Sequence, residues 1–242
     1  MKTLIIKDLK LFFSNYVSIL TICILLIAFG IILFTGFLNL SILDNGYANL
    51  DIFFNLSPLI FMIYTPAISM KTFSEEYKNG TIELLLSKPI SNFKIVLSKY
   101  LFVLIIIVFS IIPTIFYTIS IYFLGEEIGN LDLGSIIGSY IGLLLLCSIF
   151  SSISIFASSI NKQQVNAFLI AILLNVIFYY FFDFFGNYFN NGSVGLIIKK
   201  IGILNHYEFL SQGLISLHDV IYFLSVTYLF LFFTKSVIKL NK

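Results

Sequence analysis

The sequence predicts an all-α polytopic membrane protein with six transmembrane helices, and three observations carry that prediction. Of its 242 residues 59% are hydrophobic and only 11% are charged, whereas a soluble domain carries about a quarter charged residues. Mean hydropathy is +1.03. The apolar residues are gathered into long runs, and a span needs about 20 of them.

The first fifteen residues, "MKTLIIKDLKLFFSN", have helical amphipathicity. Ile5, Ile6, Leu9, Phe12 and Phe13 share one face, and Thr3, Lys7, Lys10 and Ser14 another. This pattern predicts a short helix lying in the cytoplasmic interface. A first span follows at about 16–38. It is too long for a signal-peptide core, and no small-residue cleavage site follows it. The second span, 52–70, holds Pro58 and Pro66, which neighbouring helices can accommodate by bonding the freed backbone groups. The third, 98–124, is expected to bend at Pro113. The fourth, 134–159, repeats Gly134, Gly138 and Gly142 ahead of a serine-rich stretch. Small residues at that spacing let helices approach closely, within a protomer or at a seam between two. The fifth, 164–185, carries Asn175 at depth, which can line a translocation path or bond a neighbouring helix. Residues 186–216 are too polar for a span and predict one or two short external helices. "SLHD", Ser216 to Asp219, has the form of a capping box opening the last span, 217–234.

Lysine placement gives the orientation. All fourteen basic residues are Lys. With both termini cytoplasmic, only Lys199 and Lys200 fall outside, and Lys2, Lys7, Lys10, Lys71, Lys78, Lys88, Lys94, Lys99, Lys162, Lys235, Lys239 and Lys242 fall inside. Outer loops carry Asp44, Asp51, Glu126, Glu127 and Asp132. This is the positive-inside pattern, and it requires an even number of spans. The chain therefore reads as a single transmembrane domain, 1–242, placed as a multi-pass protein in the cell membrane.

Several chemistries are excluded. No charged residue sits near the middle of a span, as a proton relay would require. Net charge is only +2 and gives no nucleic-acid footprint. Cys23 and Cys147 form neither a redox nor a zinc spacing. The two histidines, His206 and His218, would need Glu208 or Asp219 to build a metal site. There is no HExxH, no GxSxG and no GxxxxGK[ST] phosphate loop. No catalytic residue and no cofactor are expected, and energy for work must come from a partner or a gradient.

The cytoplasmic segment 71–97 interrupts the oily pattern. "KTFSEEYKN" should carry span two out of the membrane as helix, and Gly80 should stop it. "TIELLLSK" forms a second short helix ended by Pro89. Ser91 can cap the next helix. The result is an elbow with an apolar knob and carboxylates beside it. It serves either as a docking element for a partner or as a plain hairpin folded on its own membrane face.

"MKTFSEEYKNGTIELLLSKPISNFKIVLSKYL", residues 70–101, resembles the signature of ABC-2 type transporter permeases: Met-basic-x-Phe-x-Glu-Glu, then Gly-Thr-x-Glu-Leu-Leu, then Pro-x-Ser and a Lys before span three. It is most similar to the branch that includes gliding-motility permeases, and "FLSQGLISLHDVIYFLSV", 209–226, resembles that branch more weakly. Lys71 and Lys78 stand where the family commonly has Arg. The resemblance implies the permease half of an ABC exporter, paired with a second copy or a similar permease in the lipid. Two separate ABC ATPase subunits would lie beneath, with ATP hydrolysis on those chains. Glu75, Glu76, Gly80, Thr81, Glu83, Leu84, Leu85 and Leu86 would then dock on the ATPase. The alternative is a stand-alone secondary transporter or channel.

Overall fold

A computed structural model describes residues 1–35, 42, 49–124, 129, 131–189 and 193–240. Asp44, Glu126, Glu127, Lys242 and the end of the first predicted span lie outside the described residues. The described residues are mostly helical, with no strand among them. The elements are α1 (Lys2–Phe13), α2 (Tyr16–Phe34), α3 (Asp51–Ser69), α4 (Lys71–Lys78), α5 (Thr81–Leu86), α6 (Asn92–Ile111), α7 (Ile115–Leu124), α8 (Leu133–Ile160), α9 (Gln164–Tyr188), α10 (Ser193–Ile201), α11 (Ile203–Ser211) and α12 (Leu217–Leu240). Six helical stretches among the described residues are long and apolar enough to cross a membrane: Tyr16–Phe34, Asp51–Lys78, Asn92–Leu124, Leu133–Ile160, Gln164–Tyr188 and Leu217–Lys239.

The spans start where local chemistry allows. The Asn15 side chain accepts from the Val17 amide at 3.0 Å and opens α2. Asp132 does the same for Gly134 and Ser135 at the head of α8. Ser216 accepts from the Asp219 amide at 3.1 Å before α12. The reciprocal arm of a capping box is replaced there by the Ser216 hydroxyl donating to Asp219 Oδ2 at 2.7 Å. Ser91 occupies the N-cap position of α6, but its side chain makes no capping bond, contrary to expectation.

The serine-rich α8 is the axis of the bundle, packed against α3, α6, α9, α11 and α12. Most of its buried hydroxyls donate to carbonyls three or four residues back, as in Ser151 to Cys147 at 2.6 Å and Ser154 to Phe150 at 2.6 Å. A small side chain that satisfies itself in this way can be enclosed without a stranded polar group. By contrast α2 buries only Leu25, Phe29 and Leu33, a stripe at i, i+4 and i+8, and sets the Phe29 ring tilted against Phe53, centroids 4.8 Å apart. The rest of its surface is half-buried or exposed.

Each proline in α3 removes an amide that would have bonded the carbonyl four residues earlier. For Pro58 that carbonyl is Phe54, and the Tyr207 hydroxyl donates to it at 2.8 Å. For Pro66 it is Met62, and Asn175 Nδ2 donates to it at 3.4 Å. Burial pushes the Tyr207 pKa well above its usual value, so it remains a hydroxyl donor. The prolines thus fasten α3 to α11 and α9. Pro113 behaves as the sequence predicts: it lies in a 3-10 turn, Ile112–Thr114, between α6 and α7.

Gly138 and Gly142 let the α11 end come down on α8. A Cβ at Gly138 would lie 2.5 Å from the Gly213 carbonyl oxygen, and one at Gly142 2.6 Å from Leu210 Cβ. Ser135 and Ser139 donate to the carbonyls of Gln212 and Ser211 at 2.9 and 2.8 Å, answering the open end of α11. Gly134 meets only the side chain of Asp132.

Candidate functional site

The candidate site lies at the end of the bundle that carries α1 and the C-terminal end of α12. Met70 joins α3 to α4 almost without a break. Asn79 and Gly80 then end α4, with Gly80 in the left-handed region at φ 67°. The turn sends α5 off in a new direction. On this elbow Glu75, Gly80, Thr81, Glu83 and Leu84 are exposed, Leu84 by 68%. Leu85 and Leu86 turn inward with Ile82 and join the core. The apolar knob is therefore one leucine wide, because a helix of this pitch cannot show three consecutive residues to one side.

Glu76 also turns inward. Its Oε1 lies 2.7 Å from Lys99 Nζ on α6, and Asp8 Oδ2 on α1 lies 3.0 Å from the same nitrogen. The Lys99 side chain is 4% exposed, and those of Asp8 and Glu76 12% and 13%. One ammonium thus bridges two carboxylates from two separate elements. Such a buried group contributes little net stability but makes the loss of any member costly. Leu4, Ile5, Leu9 and Phe12 are half-buried beside Asp8, while Ile6 and Phe13 stay exposed. That differs from the expected face, because α1 packs sideways on α6. A cavity of about 530 Å³ opens between α1, α2, α4 and α6 beside Lys99.

A second fastening runs from α4 to the bundle axis. Ser158 Oγ on α8 accepts from the amides of Phe73 and Ser74 at 3.1 and 3.2 Å, and donates to the Met70 carbonyl at 3.1 Å. The Thr72 hydroxyl adds a longer bond to it at 3.3 Å. Ser158 thus holds the joint between span and elbow, and Phe73 is fully buried against it. A displacement of α4 must either move α8 or break these bonds.

Asn175 is not brought to this site. It is fully buried at mid-bundle, bonded to Met62 and, at 3.3 Å, to Ser154. His206, His218 and Asp219 gather at the opposite end, and among the described residues no three metal-ligating side chains converge. Asp8, Lys99 and Ser158 are the site residues that sequence reasoning missed, Lys99 reading there only as a cytoplasmic lysine. Asp8 had a signal: it is the only acid in the first 43 residues and lies between Ile5 and Leu9 on an apolar face. Ser158 had none, since its serine neighbours look alike.

Fold and site define a class: a polytopic helical membrane protein whose second span continues into an elbow, clamped to the core behind and open in front. The chain belongs to the ABC-2 family of transporters, whose description, ABC-2 family transporter protein, matches residues 37–239. Comparison with curated proteins gave no match. The chain is accordingly a multi-pass membrane component of a transporter.

Proposed function

We propose that the chain is the permease subunit of an ABC exporter in the bacterial cell membrane. Both termini and the α4–α5 elbow face the cytoplasm. A pair of separate ABC ATPase subunits docks on the exposed elbow residues Glu75, Gly80, Thr81, Glu83 and Leu84. A second permease, identical or similar, completes the pathway. The observation that carries this reading is the two-faced elbow. Its outer side presents carboxylates around an exposed leucine, and its inner side is tied through Glu76 to α6 and through Ser158 to α8.

Mechanically, closure of the ATPase pair on ATP pushes on α5. The push passes through the Gly80 turn to α4, and then to α8 by Ser158 and to α1 and α6 by Lys99. Buried bonds carry it because they have few alternative partners. The experiment is co-purification of the chain with the ATPase encoded beside it, with and without Glu75→Lys and Glu83→Lys together. Loss of the complex in the double variant is the expected result. An intact complex with undiminished ATPase stimulation overturns the docking surface, and uptake driven by an ion gradient without ATPase overturns the exporter reading.

A further inference from the structure

At the end opposite the elbow, α10, α11, the turn at 213–216 and the start of α12 line an open cavity of about 580 Å³. The transport reading does not use it. Its polar lining is Lys200, Asn205, His206, Ser216, His218 and Asp219. The one carboxylate is already engaged: Asp219 Oδ1 lies 2.6 Å from His206 Nδ1, and Oδ2 accepts from the Ser216 hydroxyl. His206 is held by stacking on Tyr222, with ring centroids 4.0 Å apart, and the Tyr222 hydroxyl is anchored to the Ile201 carbonyl at 2.6 Å. The wall is therefore rigid. In contrast, the side chains of Lys200, Asn205 and His218 have no hydrogen-bonding or ion-pair partner among the described residues. His218 only approaches the His206 ring, at 5.5 Å.

The unengaged groups are donors: an ammonium, an amide and an imidazole. A cavity with spare donors and its only carboxylate occupied suits an anion. The rim limits which anion. Phe209, Leu214 and Ile215 are 50%, 60% and 43% exposed, and they line the same cavity as the donors. Such a rim is unfavourable against water and favourable against acyl chain. Polar centre and apolar margin together match an amphiphile with an anionic head.

We propose that this cavity binds the net-anionic phosphate headgroup of an outer-leaflet lipid-like amphiphile, in preference to a zwitterionic one. Lys200, Asn205 and His218 donate to the head, and Phe209, Leu214 and Ile215 meet the chain. The leaflet assignment rests on the proposed orientation; the site itself does not.

The test uses the full chain in nanodiscs of phosphatidylcholine containing a minority of phosphatidylglycerol, and measures which lipid stays bound after extraction by native mass spectrometry. No ATPase is present, so failure here leaves the exporter reading standing, and failure of docking leaves this one. Wild type is expected to retain phosphatidylglycerol over phosphatidylcholine. Lys200→Gln and His218→Gln, both exposed and safe for folding, should each reduce that preference by about five-fold. Lys162→Gln at the far end should not reduce it. Equal retention of the two lipids overturns the proposal, as does retention unchanged in both cavity variants. Binding of inorganic phosphate at Lys200 and His218 without lipid retention also overturns it, in favour of a soluble-anion site.

Discussion

At the scale of single residues, the molecule depends on polar atoms stranded inside apolar helices and then answered from elsewhere. Lys99 is the clearest case. Lys99→Ala leaves Asp8 and Glu76 facing each other without a counter-charge. The expected cost is about 3–5 kcal/mol, read as a lowered unfolding temperature in detergent. Combining Asp8→Asn, Glu76→Gln and Lys99→Met should recover most of it, because no unpaired charge remains. If Lys99→Ala unfolds like wild type, the ion group is not intact in solution. Asn175 gives a second test. Asn175→Leu should cost about 1–3 kcal/mol by leaving the Met62 carbonyl unanswered. In a Pro66→Ala background the restored backbone amide answers that carbonyl, so the same substitution should cost clearly less. Equal costs in both backgrounds would break the link drawn between proline and asparagine.

At the scale of elements, close approach and sidedness are what matter. Gly142→Ala forces a Cβ to 2.6 Å from Leu210 Cβ, and overpacking of this kind costs about 1–3 kcal/mol. Gly134→Ala meets only the movable Asp132 side chain and should be nearly neutral. A comparable loss at both sites in a thermal unfolding assay would mean that α11 does not sit on α8 as described. Sidedness is tested by cysteine labelling in intact cells. Glu83→Cys should be shielded from an impermeant thiol reagent and Leu214→Cys should react. The reverse pattern inverts the bundle. The spans themselves were legible in the sequence, because lipid demands long apolar runs. Helix stops at Gly80 and the bend at Pro113 were legible for backbone reasons. The inward turn of Glu76, Leu85 and Leu86 was not, since it depends on how α4 and α5 pack against their neighbours. Nor was the pairing of Asp8 with Lys99, which lie 91 positions apart in the chain. Such contacts follow from three-dimensional packing, and no local pattern encodes them.

At the scale of the whole molecule, the account is of a lever joined to an axis. The elbow has one exposed side and one side packed on the bundle, and Ser158 sits at the joint. Ser158→Ala removes the bonds between α8 and α4 while leaving the exposed elbow surface untouched. It should preserve the complex with the ATPase but reduce stimulation of hydrolysis by the membrane subunit severalfold, about what one or two kcal/mol of lost coupling corresponds to. Unchanged stimulation would show that force reaches the spans by another route.

The most direct test places a photo-crosslinking amino acid at Leu84, the exposed leucine of the elbow, and at Ile197 on α10 as the control at the other end. After illumination in living cells, the adducts are identified by mass spectrometry. The account predicts that position 84 captures a polypeptide bearing a nucleotide phosphate loop and that position 197 does not. If position 84 yields only lipid adducts, or the same adducts as position 197, the elbow is not where this transporter component receives its drive.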